Sequence, residues 1–264
     1  MKRHFQIILS AALCLFLLIP TLCKAQGPKV SVRVALVSVS SDTVILSPGE
    51  SSPTALNVPL SVTFQSEIVA DDGHEYVLFP QWTVTRTITE DGEEHTGQFL
   101  KRQESVTDYD FTEYGHFRVS FEWSYRDRDS LETIPGEAVE PIDFTIDDSV
   151  LRLYNAFSPN GDGINDVYRI YVRSMVDVNI RIFNRWGQTV KTLSGSMDKL
   201  ISEGAEPDAD GGFMIDVWDG MQNGNAVNDG VYFINVQATG AGGRKYNEKA
   251  DINVLTGLGN QSLQ

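Results

Sequence analysis

Hydrophobic and polar residues alternate with a period of two along most of this chain. The clearest case is HFRVSFEWSYR at 116–126, where apolar and aromatic side chains share one face and polar side chains share the other. The apolar face carries Phe117, Val119, Phe121, Trp123 and Tyr125. This alternation is typical of a half-buried antiparallel strand. Segments 30–39, 56–64 and 76–88 show the same pattern less cleanly.

Short segments rich in Gly, Asp and Pro separate these strands, as in SPGESSP, ADDGHE and TEDGEE. Such residues favour turns. The pattern restarts after IDFTI and the linker DDSV, near residue 150. We therefore predict an all-β protein with two immunoglobulin-like β-sandwich domains in tandem, at 28–148 and 151–257, followed by a tail at 258–264.

The first 25 residues have the pattern of a secretory signal peptide. Lys2 and Arg3 precede an apolar run at 7–19 that is too short to span a bilayer, and Cys23 and Ala25 supply small residues for cleavage after Ala25. Acylation of Cys23 is the alternative, although Leu22 stands where a small residue is wanted. No later apolar run is long enough to predict a transmembrane segment in the mature chain.

Removal of this segment changes both the cysteine count and the charge. Both cysteines, Cys14 and Cys23, would leave, so the mature chain would have no disulfide, thiol nucleophile or cysteine-bound zinc. The formal net charge of −15 would become −18, because three basic and no acidic residues lie in the leader. So acidic a protein repels nucleic acid, and we predict no nucleic-acid partner.

The sequence offers little catalytic chemistry. His74, His95 and His116 are dispersed without metal-ligand spacing. The S-x-x-K pattern at 196–199 lacks the companion signatures of penicillin-binding enzymes. Acidic pairs at 71/72, 93/94 and 108/110 lie in or near turns, where solvated carboxylates are more common than glycosidase pairs. We predict a protein that is not an enzyme and has no cofactor.

Two features suggest surface interactions instead. Tyr109 and Tyr114 flank a turn, and if exposed they could stack on a surface glycan or protein ligand; packing in the core is the alternative. Triplets of Asp, Ser or Thr and an apolar residue at 42–44, 129–131 and 148–150 resemble bacterial O-glycan acceptor sites.

Five blocks occur in order after residue 150: NAFSPNGDGINDVYRI, IRIFNRWGQTV, VWDG, NDGVYFINVQA and INVL. Together they resemble the gliding-motility-associated C-terminal domain, the type B sorting domain of the type IX secretion system of Bacteroidetes. The resemblance implies an immunoglobulin-like sandwich and a partner in the outer-membrane secretion machinery. Segment 194–216 departs from the family by its length, and predicts either a decorated loop or a short helix at 197–201.

The resemblance also implies that residues of these blocks shape the sorting surface. They are Asn155, Phe157, Ser158, Pro159, Asn160, Gly161, Asp162, Gly163, Asn165, Asp166, Asn184, Arg185, Trp186, Gly187, Trp218, Asp219, Gly220, Gly230 and Tyr232. A weaker resemblance, based on QWTV at 81–84 and FTEYGHFRVSF at 111–121, relates 28–148 to polycystic-kidney-disease-type (PKD) immunoglobulin-like modules.

The first block has two local interpretations. Its Asn and Asp side chains can accept local backbone hydrogen bonds around two glycines, which describes a metal-free turn. A calcium site built from Asp162, Asn165, Asp166 and backbone carbonyls is the alternative. An EF-hand is excluded, because Ile164 and Tyr171 occupy the fifth and twelfth loop positions.

The later blocks predict two hairpin turns. Gly187 suits a turn in which Trp186 covers the end of the core, and the sequence Asn228-Asp229-Gly230 predicts a hairpin before an apolar strand.

These patterns together predict an exported protein, secreted or held at the outer cell surface after passage through the periplasm. Its C-terminal domain would direct it to the type IX machinery, and its N-terminal domain would be a spacer or binding module. A surface adhesin and a structural component of the gliding or export apparatus are the alternatives.

Overall fold

The structure is a computed structural model that describes residues 27–38 and 43–256. The predicted signal peptide, the first residue of the triplet at 42–44 and the predicted tail lie outside the described residues. The described chain is almost entirely β-strand, so the all-β prediction is confirmed. None of its helices has the length and apolar character needed to cross a membrane.

Nine strands lie before residue 150. They are β1 (Lys29–Val37), β2 (Thr43–Leu46), β3 (Leu60–Val69), β4 (Tyr76–Glu90), β5 (Glu93–Arg102), β6 (Val106–Phe111), β7 (Gly115–Asp127), β8 (Ile134–Pro135) and β9 (Ile142–Ile146). One sheet has the order β2-β1-β3-β6; the other has the order β5-β4-β7-β8, with β9 also paired to β7.

The core of this half lies between the two sheets. The predicted alternation of β7 is confirmed, because Phe117, Val119, Phe121 and Trp123 are buried while the intervening side chains are exposed or half-buried. Trp82 of β4 packs on β3 across the sandwich, with its ring 5.5 Å from that of Phe64.

Eleven further strands follow. They are β10 (Val150–Leu153), β11 (Ala156–Phe157), β12 (Tyr168–Arg173), β13 (Met175–Phe183), β14 (Thr189–Ser196), β15 (Glu206–Pro207), β16 (Phe213–Trp218), β17 (Met221–Gln222), β18 (Asn225–Ala226), β19 (Gly230–Gly240) and β20 (Lys245–Val254). An α-helix, α1 (Met197–Ser202), and a 3-10 turn (Ala241–Gly243) complete the described chain.

The second half has its own pair of sheets, in the orders β10-β12-β16-β15 and β11-β20-β19-β13-β14, and a small β17-β18 hairpin. All strand pairs of these two sheets are antiparallel except β11 with β20. Within the described residues, no sheet takes strands from both halves. A second buried cluster, which includes Ile180, Ile215 and Ile234, fills the space between the sheets.

The helix at 197–201, one of the two predicted forms of segment 194–216, is present as α1. The Ser196 side chain caps it by accepting a hydrogen bond from the Lys199 backbone N–H (3.4 Å). Met197 and Leu200 are buried in the second core. The serine of the S-x-x-K pattern is therefore a helix cap.

Candidate functional site

The loop between β11 and β12 is organised around the carboxylate of Asp166. Its Oδ1 accepts hydrogen bonds from the backbone N–H groups of Asn160 (2.9 Å) and Gly161 (2.7 Å), and its Oδ2 accepts one from Gly163 (2.7 Å). Gly161 and Gly163 have φ of 82° and 84°, which glycine adopts without strain. These bonds, led by the one from Gly161, hold the pKa of Asp166 below its usual value.

Asp162 is also used within the loop. Its carboxylate accepts hydrogen bonds from the Ile164 backbone N–H (2.8 Å) and from the Asn160 side-chain amide (2.9 Å). The oxygens of both acids thus accept hydrogen bonds from within their own turn, which is the arrangement of an Asx-rich loop. In the described chain, no group of three or more His, Cys, Asp or Glu residues is arranged to hold a metal ion.

The turn between β13 and β14 is built by Asn184. Its side-chain oxygen accepts hydrogen bonds from the backbone N–H groups of Trp186 and Gln188 (both 3.0 Å), and its carbonyl accepts one from Gly187 (2.9 Å). Gly187 has φ of 78°, as the predicted hairpin turn requires.

The prediction that Trp186 covers the end of the core is wrong. Its side chain is 72% exposed. Because Asn184 draws the Trp186 backbone N–H toward itself, the indole projects outward from the turn, where the Arg185 guanidinium lies 4.5 Å from its ring centre.

Four aromatic side chains close this end of the core instead. The Trp218 ring packs on Phe157 (5.4 Å) and Tyr232 (5.0 Å), and Phe157 packs on Tyr168 (5.8 Å). Tyr168, which is absent from the predicted sorting residues, is fully buried and donates a hydrogen bond to the Tyr154 carbonyl (2.7 Å). Burial raises its pKa to about 12.

Two blocks of the resemblance meet at Gly220 and Pro159. Gly220 has φ of 72°, and a Cβ at this position would lie 2.7 Å from Cγ of Pro159. Asp219 accepts a hydrogen bond from the Met221 backbone N–H (3.1 Å). The VWDG block therefore packs directly against the first loop, at Pro159.

The hairpin predicted at Asn228-Asp229-Gly230 is also wrong. The hairpin lies just before it, where Asn223 and Gly224 (φ of 52° and 79°) join β17 to β18. The dipeptide Asn-Gly is a strong sequence signal for a hairpin, because both residues readily adopt positive φ. It was the better signal in this segment. Asp229 instead accepts a hydrogen bond from the Thr256 backbone N–H (2.7 Å), which lies after the last strand.

The structure thus sorts the predicted sorting residues into three groups. Most of the first block and the VWDG block form one supported loop; Phe157, Trp218 and Tyr232 are core residues; Arg185 and Trp186 lie on the surface. The last two meet the start of β19 in a groove of about 320 Å³. We call it the tryptophan groove, and it is lined by Asn184, Arg185, Trp186 and residues 228–233. The role of each residue in sorting stays a prediction.

The two predicted tyrosines of the first half are only partly exposed. Tyr109 is half-buried and packs edge-on against Phe111 (4.9 Å) and Phe99 (5.7 Å). Tyr114 is half-buried beneath the Arg86 guanidinium, 5.1 Å from its ring centre. Each ring is thus partly covered by neighbouring side chains, which leaves less of it for stacking on a sugar.

The remaining polar candidates have structural partners. His74 contacts Asp127 (2.7 Å), and His116 contacts Asp143 (3.2 Å). The glycan-acceptor prediction at 148–150 is wrong for the folded chain, because Ser149 is buried and its hydroxyl contacts the Tyr246 hydroxyl (2.8 Å). The triplets at 42–44 and 129–131 stay predictions.

Comparison with known proteins bears directly on the second half. Residues 151–254 match the family model of the CHU_C Type IX secretion signal domain. The match confirms the resemblance predicted for this half from its five sequence blocks. The matched region, 151–254, contains the Asp166 loop, the aromatic closure around Trp218 and the tryptophan groove.

No curated protein matches the chain. Among solved structures, the tetra-tandem repeat in the extending region of a large adhesion protein is similar over 87% of this chain and 68% of that one, with 12% sequence identity and a TM-score of 0.27. A TM-score this low supports no inference about function. The resemblance of 28–148 to PKD modules stays a prediction.

Proposed function

We propose that the second half is a targeting signal, here called the export address, that directs the whole chain through the type IX machinery to the outer cell surface or the medium. The observation that carries this proposal is the match of residues 151–254 to the secretion signal domain. This half has its own sheets and its own buried cluster. A folded β-domain can act as a targeting signal because its turns and strand edges present a fixed surface to a receptor.

The proposal includes the limits 28–148 and 151–257 for the two domains, cleavage after Ala25 and passage through the periplasm. We further propose that the first domain is a non-enzymatic spacer or binding module. The packing of Tyr109 and Tyr114 against neighbouring side chains weakens the main argument for a glycan-binding adhesin. The acidic surface of the first half favours a solvated module: residues 27–150 carry 23 acidic and 8 basic side chains.

Fractionation of cells that contain the type IX system tests the address. The full chain should reach the cell surface or the medium, and the chain lacking 151–264 should stay in the periplasm. The reciprocal fusion, in which 151–264 follows a leader and an unrelated reporter, should be exported. Export of the truncated chain at the level of the full chain would refute the address role.

A further inference from the structure

Three large apolar side chains of the tryptophan groove are exposed. Trp186 is 72% exposed, Phe233 is 47% exposed and Val231 is 45% exposed. Their proximity is fixed by the fold, because Trp186 lies on the turn after β13 while Val231 and Phe233 lie on the paired strand β19. Clustered apolar exposure on a protein surface is a mark of an interaction site.

The groove is also rigid. Asn184 holds the turn that carries Trp186 through three hydrogen bonds, and Phe233 lies in the middle of its sheet, opposite Phe183 on β13 and Asp251 on β20. Side chains held in place before binding lose little conformational entropy when a partner docks.

Cations slightly outnumber carboxylates around the groove, although the chain as a whole has a formal net charge of −15. Arg185 stacks on Trp186. In the adjacent row of the same sheet face, Arg181 and Lys249 flank Asn235 in register. Among the described residues, none of these three cations forms a salt bridge. Two carboxylates lie close by, Asp251 in the row of Phe233 and Asp229 in the lining of the groove. Against the three cations they leave a small cationic excess.

The Asp166 loop differs from the groove in how its charged side chains are used. The carboxylates of Asp162 and Asp166 accept hydrogen bonds from their own turn. The polar side chains of this loop are thus used to hold its own shape, whereas the exposed Trp186 ring carries the Arg185 guanidinium.

We propose that the outer-membrane export machinery docks on the tryptophan groove through a protein segment that presents a carboxylate beside apolar side chains. The apolar side chains of that segment would cover Trp186, Val231 and Phe233, and its carboxylate would pair with Arg185 or Lys249. This inference rests on the proposed export function and names the surface that carries it out.

The full-length double variant Trp186→Ala/Phe233→Ala tests the apolar contact. Export measured by fractionation and immunoblotting should fall by about tenfold or more, as expected for the loss of central interface aromatics. The purified variant should remain folded with a modestly lower unfolding temperature, because Trp186 is mostly exposed and Phe233 is about half-buried. Met221→Ala removes a partly exposed apolar side chain of the same domain outside the groove, and should be exported normally.

The charge contact is tested separately with Arg185→Glu/Lys249→Glu, against Lys101→Glu on the exposed side of β5. The first variant should accumulate in the periplasm as a folded protein, and the second should be exported. If the Trp186/Phe233 variant loses its fold, the charge variant decides the question, since these long side chains contribute little to the core. Normal export of the folded charge variant or of the folded aromatic variant would overturn the docking surface.

The chain lacking 151–264 distinguishes this failure from failure of the proposed function. Retention of the truncated chain together with export of both groove variants would mean that residues 151–264 direct export but that the machinery does not dock on the tryptophan groove. Export of the truncated chain refutes the address itself.

Discussion

The backbone N–H of Gly242 donates a hydrogen bond of 2.7 Å to the carbonyl of Thr112. Gly242 lies in the turn between β19 and β20 of the second half, and Thr112 follows β6 in the first half. The neighbouring Ala241 has no exposed surface and belongs to the buried cluster of the first half. The last hairpin of one half therefore inserts its tip into the core of the other.

Polar contacts surround this joint. The Arg244 guanidinium pairs with Asp148 (2.9 Å) and lies 5.8 Å from the ring centre of Tyr114. On another part of the joint, the Ser174 hydroxyl donates a hydrogen bond to the Asn57 side chain (3.1 Å). The two cores remain distinct clusters, but the halves are held together by more than their linker.

A charge at the joint should destabilise both halves. Ala241→Glu places a carboxylate among buried side chains of the first core, and we expect it to lower the free energy of unfolding by about 3 kcal/mol. Hydrogen exchange should become faster in β6 and β7 as well as in β19 and β20. Lys245→Glu adds a carboxylate just after the same turn, where it is exposed, and should leave exchange in the first half unchanged. If Ala241→Glu alters exchange only in β19 and β20, the halves are not coupled through this turn.

The joint could not have been predicted from the sequence, whereas β7 could. The alternation from Phe117 to Trp123 is a local pattern, and Ser196 is a helix cap readable from its neighbours. AGG at 241–243 looks like any exposed turn, and only the packing of the two halves buries Ala241. Likewise, the position of a residue just after a strand does not reveal the direction of its side chain. An aromatic residue at this turn is compatible with either direction, and in the folded chain the Trp186 indole lies outside the core.

The Asp166 loop should make stability depend on pH in the acidic range. The pKa of Asp166 is lower in the folded chain than in the unfolded chain, where it is about 3.9. Its contribution is therefore fully present above the unfolded-state pKa and is lost as the pH falls through the lower folded-state pKa. Asp166→Asn should lower the unfolding temperature at pH 7 and reduce its decline toward low pH. The control Asp177→Asn, on the exposed face of β13, should retain the pH dependence of the parent.

Calcium should not stabilise the chain through this loop. The oxygens of Asp162 and Asp166 already accept hydrogen bonds from the backbone and from Asn160, so a bound ion would have to displace those contacts. We expect the same unfolding temperature in millimolar calcium and in excess chelator. A saturable increase with calcium that Asp162→Asn abolishes would show that the loop opens to bind the ion, and would restore the calcium interpretation.

Gly220 and Gly224 offer a matched test of how the VWDG block supports the first loop. Both have φ in the left-handed region, 72° and 79°, so alanine at either position has a backbone cost of about 1–2 kcal/mol. A Cβ at position 224 meets nothing within 4 Å, whereas one at position 220 would lie 2.7 Å from Cγ of Pro159, which is closer than real Cβ contacts.

Gly220→Ala should therefore destabilise the chain by about 1–3 kcal/mol more than Gly224→Ala in denaturant unfolding, since overpacking adds to the backbone cost. The excess should shrink in the background of Pro159→Ala, because that substitution removes the ring with which the new methyl group collides. An equal cost for the two glycine variants would mean that Pro159 moves away freely, and that the VWDG block does not fix the position of the Asp166 loop.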